Sequence, residues 1–182
     1  MRYEIRFSGS GGQGIITAGI LLAQSAAIYD GKNSIQSQSY GPEARGGASK
    51  AEVIISDDEI NYPKVTSPDI LVSLTQEAFN KYTLDLKEST VIIVDSNMVQ
   101  NFGNIKNKIY AVPVINTVIE ELESPLSANI ATIGAVNTIC SLVSKDGLLN
   151  TILAAFPKKA EENNTKAYNI GIKLAEEVLR DK

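Results

Sequence analysis

Short apolar runs and longer helical patterns alternate along the chain, which predicts an α/β protein. An apolar stretch at residues 3–8 runs into a glycine-rich turn, and an apolar segment at residues 15–28 follows it. The other short apolar runs, which we assign to strands, lie at residues 34–39, 51–56, 69–74, 91–94 and 108–114. Strands that alternate with helices favour a doubly wound, mostly parallel sheet flanked by helices, here as a single domain.

The helical patterns differ in how their apolar residues are distributed. We predict helices at residues 15–28, 76–82, 129–144, 147–156 and 161–180. The first is apolar on nearly every side, which is typical of a helix buried against a sheet and against something else. The last has one apolar stripe and is amphipathic. Asp146 is predicted as the N-cap of the helix at residues 147–156, and Pro157 as its end.

Composition and charge exclude several classes of function. The chain has 182 residues, of which 43% are hydrophobic and 21% charged, as in an ordinary globular domain. A formal net charge of −4 argues against a general polyanion binder, because affinity for phosphate backbones comes mainly from clustered Lys and Arg. No apolar run reaches membrane-spanning length, and the first residues do not resemble a signal peptide. We therefore expect a cytoplasmic protein that binds neither nucleic acid nor membrane.

Two residue types restrict the chemistry. The chain contains no histidine and one cysteine, Cys140. Without histidine there is no Ser-His-Asp triad, no imidazole general base and no zinc site of the usual catalytic kind. One cysteine cannot supply the four thiolates of an ordinary iron–sulfur cluster. We therefore predict no catalytic residue and no metal site in this chain, and we expect demanding chemistry to depend on a cofactor or on other subunits.

The first motif is a glycine-rich turn between the first strand and the first helix. Its candidate residues are Gly9, Gly11, Gly12, Gln13 and Gly14. The spacing matches G-x-G-x-x-G, and the helix N-terminus behind it presents unpaired N–H groups to an anion. An NAD site also needs an acidic residue about twenty positions further on, and residues 34–39 contain none. Three uses of the turn therefore stay open. It allows close strand–helix packing or subunit contact, or it binds a phosphate or another polar ligand, or it binds NAD(P).

A second dense segment follows at residues 38–47. Its candidate residues are Tyr40, Gly41, Pro42, Glu43, Arg45, Gly46 and Gly47. The glycines and the proline set turn geometry around a phenol, a carboxylate and a guanidinium. Arginine suits bidentate capture of a carboxylate or phosphate. The alternative is a surface pair between Glu43 and Arg45, which would contribute little.

Four further residues have a structural interpretation as well as a functional one. Asp95 follows an apolar strand, at the strand end where open α/β sheets bind ligands, although capping or turn formation explains it equally well. Ser127 and Asn129 mark a helix start. Cys140 lies in an apolar helix and is interpreted as a small buried side chain.

The two glycine-containing segments together resemble those of the gamma subunits of 2-oxoacid:ferredoxin (or flavodoxin) oxidoreductases. Residues 9–19 are similar to the opening of that family and residues 38–48 to its second signature. The Tyr-Gly-Pro-Glu-x-Arg-Gly-Gly form is more similar to the 2-oxoglutarate branch than to the pyruvate branch. Since the resemblance spans essentially the whole chain, it implies one Rossmann-like, gamma-type domain over residues 1–182.

The resemblance implies a subunit of an oxidoreductase that is not active alone. Such complexes oxidatively decarboxylate a 2-oxoacid with coenzyme A, here 2-oxoglutarate to succinyl-CoA and CO2, and reduce ferredoxin or flavodoxin. Alpha and beta partners hold thiamine diphosphate with Mg, and beta and delta-type partners hold iron–sulfur clusters. The gamma domain packs against them near coenzyme A. Residues 9–14 and 40–47 would then face the alpha chain or the coenzyme A route, with Arg45 as the anion partner.

Three alternatives stay open from the sequence. One is the gamma-type subunit of an indolepyruvate or branched-chain 2-oxoacid oxidoreductase, which has a similar domain. Another is a stand-alone NAD(P)-binding protein. The third is a purely structural scaffold without ligand contact.

Overall fold

The structure, a computed structural model, describes residues 1–38 and 47–181. The first half of the chain contains β1 (Arg2–Gly9), α1 (Ile15–Ile28), β2 (Asn33–Gln38), β3 (Ser49–Ser56), β4 (Ile70–Ser73), α2 (Gln76–Tyr82) and β5 (Val91–Asp95). The second half contains β6 (Ile109–Val112), α3 (Val114–Leu122), α4 (Ala128–Cys140), α5 (Lys145–Ala155) and α6 (Glu161–Arg180), with a short 3-10 turn at Lys158–Ala160. Each strand predicted from the sequence is present, but β2, β3 and β4 follow one another without an intervening helix, as do β5 and β6.

The strands form one six-stranded sheet in the order β2-β3-β1-β4-β5-β6. Strands β1, β4, β5 and β6 run parallel to one another. Strand β3 lies antiparallel between β2 and β1, with Ile5 opposite Val53 and Ile35 opposite Ile54. The predicted mostly parallel, single-domain α/β fold is confirmed. The antiparallel insertion of β3 was not foreseen, because strand order does not follow from local patterns.

Helices cover the two faces of the sheet unequally. One face packs against α1, α3, α4, α5 and α6 in a large apolar core that includes Ile5, Phe7 and Val72. The other face has a smaller apolar cluster over β4 and β5, where Leu71 and Ile92 pack with α2 and the segment after β5. Side chains at alternate strand positions point to opposite faces, so β4 and β5 contribute to both clusters.

Helices α4 and α6 approach each other very closely. An ideal Cβ placed on Gly171 would lie 1.9 Å from the carbonyl oxygen of Ala131, and one placed on Gly134 would lie 2.7 Å from that of Tyr168. Only glycine leaves room for backbones at this distance. These two glycines therefore set the separation of α4 and α6.

The structure contains a helix in the second half of the chain where the sequence predicted the end of a strand. Residue 114 begins α3, a helix that was not predicted, whereas the sequence pattern placed it at the end of a strand. Its residues, Val-Ile-Asn-Thr-Val-Ile, are mostly β-branched and favour a strand locally. Pro113 occupies the N-cap position, and Asp95 accepts a hydrogen bond from the Ile115 amide at 2.8 Å. Tertiary contact with β5 thus overrides the local preference.

The ends of α4 and α5 also differ from the prediction. Helix α4 ends at Cys140 instead of residue 144, because Ser141 is left-handed and the Asn137 side chain accepts the amides of Leu142 and Val143, each at 3.0 Å. Helix α5 begins at Lys145, two residues earlier than predicted. Ser144 holds its N-cap position, so the assignment of Asp146 as N-cap was wrong. Asp146 lies in the first turn instead.

Among the described residues, no helix combines the length and apolar character that crossing a membrane requires.

Candidate functional site

The candidate site is a crevice at the carboxyl ends of β1 and β4. From β1 the chain passes through α1 to β2, on one side of β1, whereas β4 pairs with its other side. Connections that diverge in this way leave an opening between strand ends, the usual place for ligands in open α/β sheets. Ser8 and Ser73 end the two strands here, and their buried hydroxyl oxygens lie 2.8 Å apart.

Gln13 ties the glycine turn to the neighbouring strand. Its Oε1 accepts a hydrogen bond from the Ser10 amide at 2.8 Å, and its Nε2 donates to the carbonyl of Leu74 at 3.2 Å. A Cβ on Gly9 would lie 2.4 Å from the same Oε1, so the Gln13 side chain occupies the space that Gly9 leaves open. Gly9 and Gln13 therefore have a packing role, one of the uses predicted for this turn.

Gly14 connects the turn to α1 and is constrained twice. It adopts a left-handed conformation with φ of 71°, which favours glycine, at the N-cap position of α1. A Cβ at this position would also lie 2.7 Å from the Asn129 amide nitrogen, which donates to the Gly14 carbonyl at 3.5 Å. Gly11 and Gly12 form the exposed tip of the turn, and Gly12 has φ of 88° with open space beside it.

The N-termini of two helices meet at this turn. Helix α1 begins after Gly14 without a side-chain cap, and α4 begins after Ser127, as predicted for that residue. Asn129, in the first turn of α4, packs on Gly14 and joins the two ends. Neither helix has an acidic residue in its first turn. Because helix N-termini carry partial positive charge, this edge of the crevice suits an anionic or polar group.

The end of the second segment lies beside the glycine turn. Gly47 has φ of 100°, the Ala48 carbonyl accepts from the Tyr82 hydroxyl at 2.9 Å, and the Ser49 hydroxyl donates to the Gly9 carbonyl at 3.2 Å. The structure thus brings Gly47 close to the first motif. The other predicted residues of this segment lie outside the described residues: Tyr40, Gly41, Pro42, Glu43, Arg45 and Gly46.

A charged cluster on the face of the sheet opposite α1 was missed by sequence reasoning. Glu52 Oε1 accepts from Arg6 at 2.7 Å and from Lys50 at 2.9 Å, and the Arg6 guanidinium lies 5.6 Å from the centre of the Tyr82 ring. Lys50 and Glu52 line a cleft of about 520 Å³ that also includes Lys64. The strand alternation Lys50-Ala51-Glu52, with charges on one face, is the signal that could have indicated it.

Two other sequence candidates have structural roles. Asp95 is buried, and its carboxylate accepts from the amides of Asn97 and Ile115 at 3.0 and 2.8 Å, so it forms a turn and caps α3. Cys140 is largely buried at the end of α4, and burial raises the pKa of its thiol to about 12. A thiol of this kind stays protonated near neutral pH and is a poor nucleophile.

The strand order differs from that of a dinucleotide-binding fold. In that site the acidic residue ends the strand next to the glycine turn. Here β3 lies between β1 and β2, and β2 ends at Gln38, a neutral residue. The fold and the crevice define an α/β domain that shares the strand–turn–helix motif of nucleotide-binding proteins and differs from them in strand order.

Comparison with known proteins assigns this domain to a family. The family model described as pyruvate ferredoxin/flavodoxin oxidoreductase matches residues 4–174. The chain belongs to this family, in agreement with the resemblance of its two glycine-containing segments.

Three relatives are similar over nearly the whole chain. The 2-oxoglutarate synthase subunit KorC of Methanocaldococcus jannaschii is 47% identical, with 98% of this chain and 96% of the relative covered. The gamma subunit of a keto/oxoacid ferredoxin oxidoreductase from Geobacter sulfurreducens PCA is 44% identical and has a TM-score of 0.90. The match covers 98% of this chain and 98% of the gamma subunit. The 2-oxoglutarate:ferredoxin oxidoreductase of Magnetococcus marinus is 25% identical with a TM-score of 0.85, covering 96% of this chain and 31% of that longer chain.

Proposed function

We propose that this chain is the gamma-type subunit of a 2-oxoglutarate:ferredoxin (or flavodoxin) oxidoreductase. The complete enzyme decarboxylates 2-oxoglutarate oxidatively with coenzyme A, giving succinyl-CoA and CO2, and passes the electrons to the acceptor protein. The single observation that carries this proposal is the 47% identity to a 2-oxoglutarate synthase subunit over 98% of the chain. The branched-chain and indolepyruvate alternatives are not favoured by these relatives.

The redox and thiamine chemistry belongs to the partner subunits in this proposal. An iron–sulfur cluster needs four thiolates, and Cys140 is the only cysteine, so this chain does not fit a cluster. Within residues 1–38 and 47–181, His, Cys, Asp and Glu side chains form no group of three that could hold a metal. We therefore place thiamine diphosphate with Mg and the clusters on alpha, beta and delta-type partners.

The crevice supports a role close to coenzyme A. Coenzyme A carries phosphate groups, and an uncapped helix N-terminus behind a glycine turn is suited to bind a phosphate. We propose that residues 9–14 and 40–47 face either the alpha chain or the coenzyme A route. Arg45 is the proposed anion partner on sequence grounds, because a guanidinium binds phosphate or carboxylate in bidentate fashion.

Reconstitution tests the proposed function. The chain is co-expressed with the proposed thiamine-dependent partner subunits from the same organism, and the purified complex is assayed for ferredoxin reduction with 2-oxoglutarate and coenzyme A. We expect activity only in the complex and a preference for 2-oxoglutarate over 2-oxoisovalerate and indolepyruvate. Recovery of the chain alone, or turnover by the chain alone, contradicts the proposal. NADPH titration of the isolated chain should show no binding.

The coenzyme A role needs a separate test in the assembled enzyme. Arg45→Ala is compared with Arg45→Lys, which keeps the charge but loses the bidentate geometry. We expect the KM for coenzyme A to rise about tenfold or more for Arg45→Ala, as for loss of a charged hydrogen bond, and to rise less for Arg45→Lys. An unchanged KM with assembly intact would favour the scaffold alternative.

A further inference from the structure

Helix α1 presents an apolar surface on both of its sides. Its 14 residues contain no charged side chain. The inner side, including Leu21 and Leu22, is buried in the core. Yet the outer side carries Ile16, Ile20 and Ile28, which remain 38%, 38% and 68% exposed.

These outer residues form a stripe in which Gln24 is the one polar member. Ile16, Ile20 and Gln24 are spaced four residues apart, and Ile28 extends the same row by one further turn, so all four lie along one side of the helix. A groove of about 420 Å³ runs beside the stripe, between α1 and α5, and is lined by Ile20, Gln24, Ile28, Tyr29 and Phe156. We call the row Ile16, Ile20, Gln24 and Ile28, together with this groove, the α1 stripe.

Elsewhere on the described surface, large exposed apolar side chains are spread over separate loops and helices. Tyr62 and Leu84 lie between elements, Leu126 precedes α4, and Ile119 is on α3. Scattered residues of this kind are normal on a protein surface, whereas a contiguous apolar patch marks an interaction site. The α1 stripe is therefore the surface to which a partner would bind.

The comparison with Magnetococcus marinus indicates which partner this is. There, a domain of this fold makes up 31% of a longer chain, so the domain and the rest of that subunit are one polypeptide. In the Methanocaldococcus jannaschii subunit and the Geobacter sulfurreducens gamma subunit, by contrast, the matched region is 96% and 98% of a separate chain. A domain of this kind that is a separate chain needs a non-covalent surface to stay in place, and an apolar stripe without charges supplies one.

The position of the stripe connects it to the crevice. Ile16 follows Gly14 by two residues, so the stripe begins at the glycine turn and leads away from it. A protein that covers the stripe would also reach the edge of the crevice. The same partner could then close the site and hold the domain.

We propose that the α1 stripe is the docking surface for the separate subunit that corresponds to the remainder of the Magnetococcus chain. This inference rests on the proposed function, since it assumes an oxidoreductase complex around the chain. The matching surface on that subunit is apolar and low in charge, because the stripe offers no ion-pair partner. Docking should consequently persist at high salt, which screens charged contacts and strengthens apolar ones.

A pair of matched substitutions tests the docking surface. Ile20→Lys places a charge in the stripe, and Ile119→Lys places the same charge at an isoleucine of similar exposure, 42%, on α3. Each variant is co-expressed with the partner subunits, and recovery of the complex is measured in 0.15 M and 1 M salt. We expect Ile20→Lys to lower recovery at least about tenfold, as loss of a central apolar contact does, while Ile119→Lys matches the unmodified chain.

Further measurements distinguish a variant that fails to fold from one that folds but fails to dock. Thermal unfolding of each isolated variant shows whether it folds, and Gln24→Glu, at a position that is already polar and exposed, introduces a charge with less risk to folding. If the unmodified chain recovers partners and both stripe variants do too, the docking surface is wrong but the proposed function stands. If the unmodified chain recovers none, the proposed function fails. A homodimer of the isolated chain that Ile20→Lys dissociates, seen by analytical ultracentrifugation, would assign the stripe to a second copy and overturn the proposal.

Discussion

Helices α1 and α6 lie on the same side of the sheet but have very different outer surfaces. The outer side of α6 carries Glu162, Lys166, Lys173 and Glu176, all exposed, with Lys166 and Glu162 forming an ion pair at 2.6 Å. The outer side of α1 has no charge at all. Both helices bury their inner sides in one apolar core.

This contrast separates two causes of apolar character in a helix. In α6 the pattern has the 3.6-residue period of a helix between a core and water, and folding of the chain explains it completely. In α1 folding explains the inner side only. The apolar outer side needs a second surface, which in our proposal is another subunit.

The largest effect is expected where α6 meets α4. Gly171→Ala removes a flexible residue from a helix and would stabilise it by about 1 kcal/mol if helix propensity decided the outcome. Its Cβ would overlap the Ala131 carbonyl, however, and forcing the two backbones apart should cost about 3 kcal/mol. Chemical denaturation of the isolated chain shows whether the substitution raises or lowers the free energy of unfolding. Lys173→Ala, on the outer side of α6, serves as control and should change stability by less than about 0.5 kcal/mol.

The pH dependence of stability tests how completely the core excludes water from Cys140. Burial raises the pKa of Cys140, at the end of α4, from 9.0 to about 12. Between these values the folded chain holds the proton that the unfolded chain releases, so stability is present below pH 9 and is lost as pH rises towards 12. The loss should approach about 1.4 kcal/mol per pH unit. Denaturation midpoints at pH 8, 9.5 and 11 measure it, and an equal slope in Cys140→Ala would contradict this cause.

At the start of α1 we expect a smaller effect. Gln13→Ala removes one hydrogen bond within the glycine turn and one from the turn to Leu74, which follows β4, and should destabilise the chain by about 1–2 kcal/mol. Gln13→Glu keeps the acceptor for the Ser10 amide but loses the donor to Leu74, so its cost should be lower. Denaturation curves of the three proteins give the comparison. Equal stability of all three would show that the turn does not depend on this side chain.

The smallest effect is expected on the outer side of α6. Lys166→Ala breaks an exposed pair with Glu162, and we expect a loss of about 0.3–0.5 kcal/mol that disappears in 1 M salt. The same substitution should leave recovery of the complex unchanged. A clear loss of complex would mean that α6 also contacts a partner, and the contrast with α1 would then be wrong.

The sequence predicted much of the fold, because its strands and helices have clear periods. Helices α1 and α2 begin and end where expected. Helix α3 was missed, since a run of Val, Ile and Thr has strand preference, whereas the Asp95 hydrogen bond to its first turn and burial of Val114 and Val118 in the core favour the helix. A side-chain contact with the backbone also explains the early end of α4, where the Asn137 side chain accepts hydrogen bonds from the amides that follow the helix.

For the site, the two glycine-containing segments and the uncharged α1 could be read from the sequence alone, because turn residues and helical periodicity are local properties. Tertiary structure alone decided that β3 separates β1 from β2, that Asn129 packs on Gly14, and that Arg6 pairs with Glu52. Each of these joins positions far apart in the chain. Such pairings are chosen by packing of the whole core, where small differences in fit between competing arrangements outweigh the preferences of any single segment.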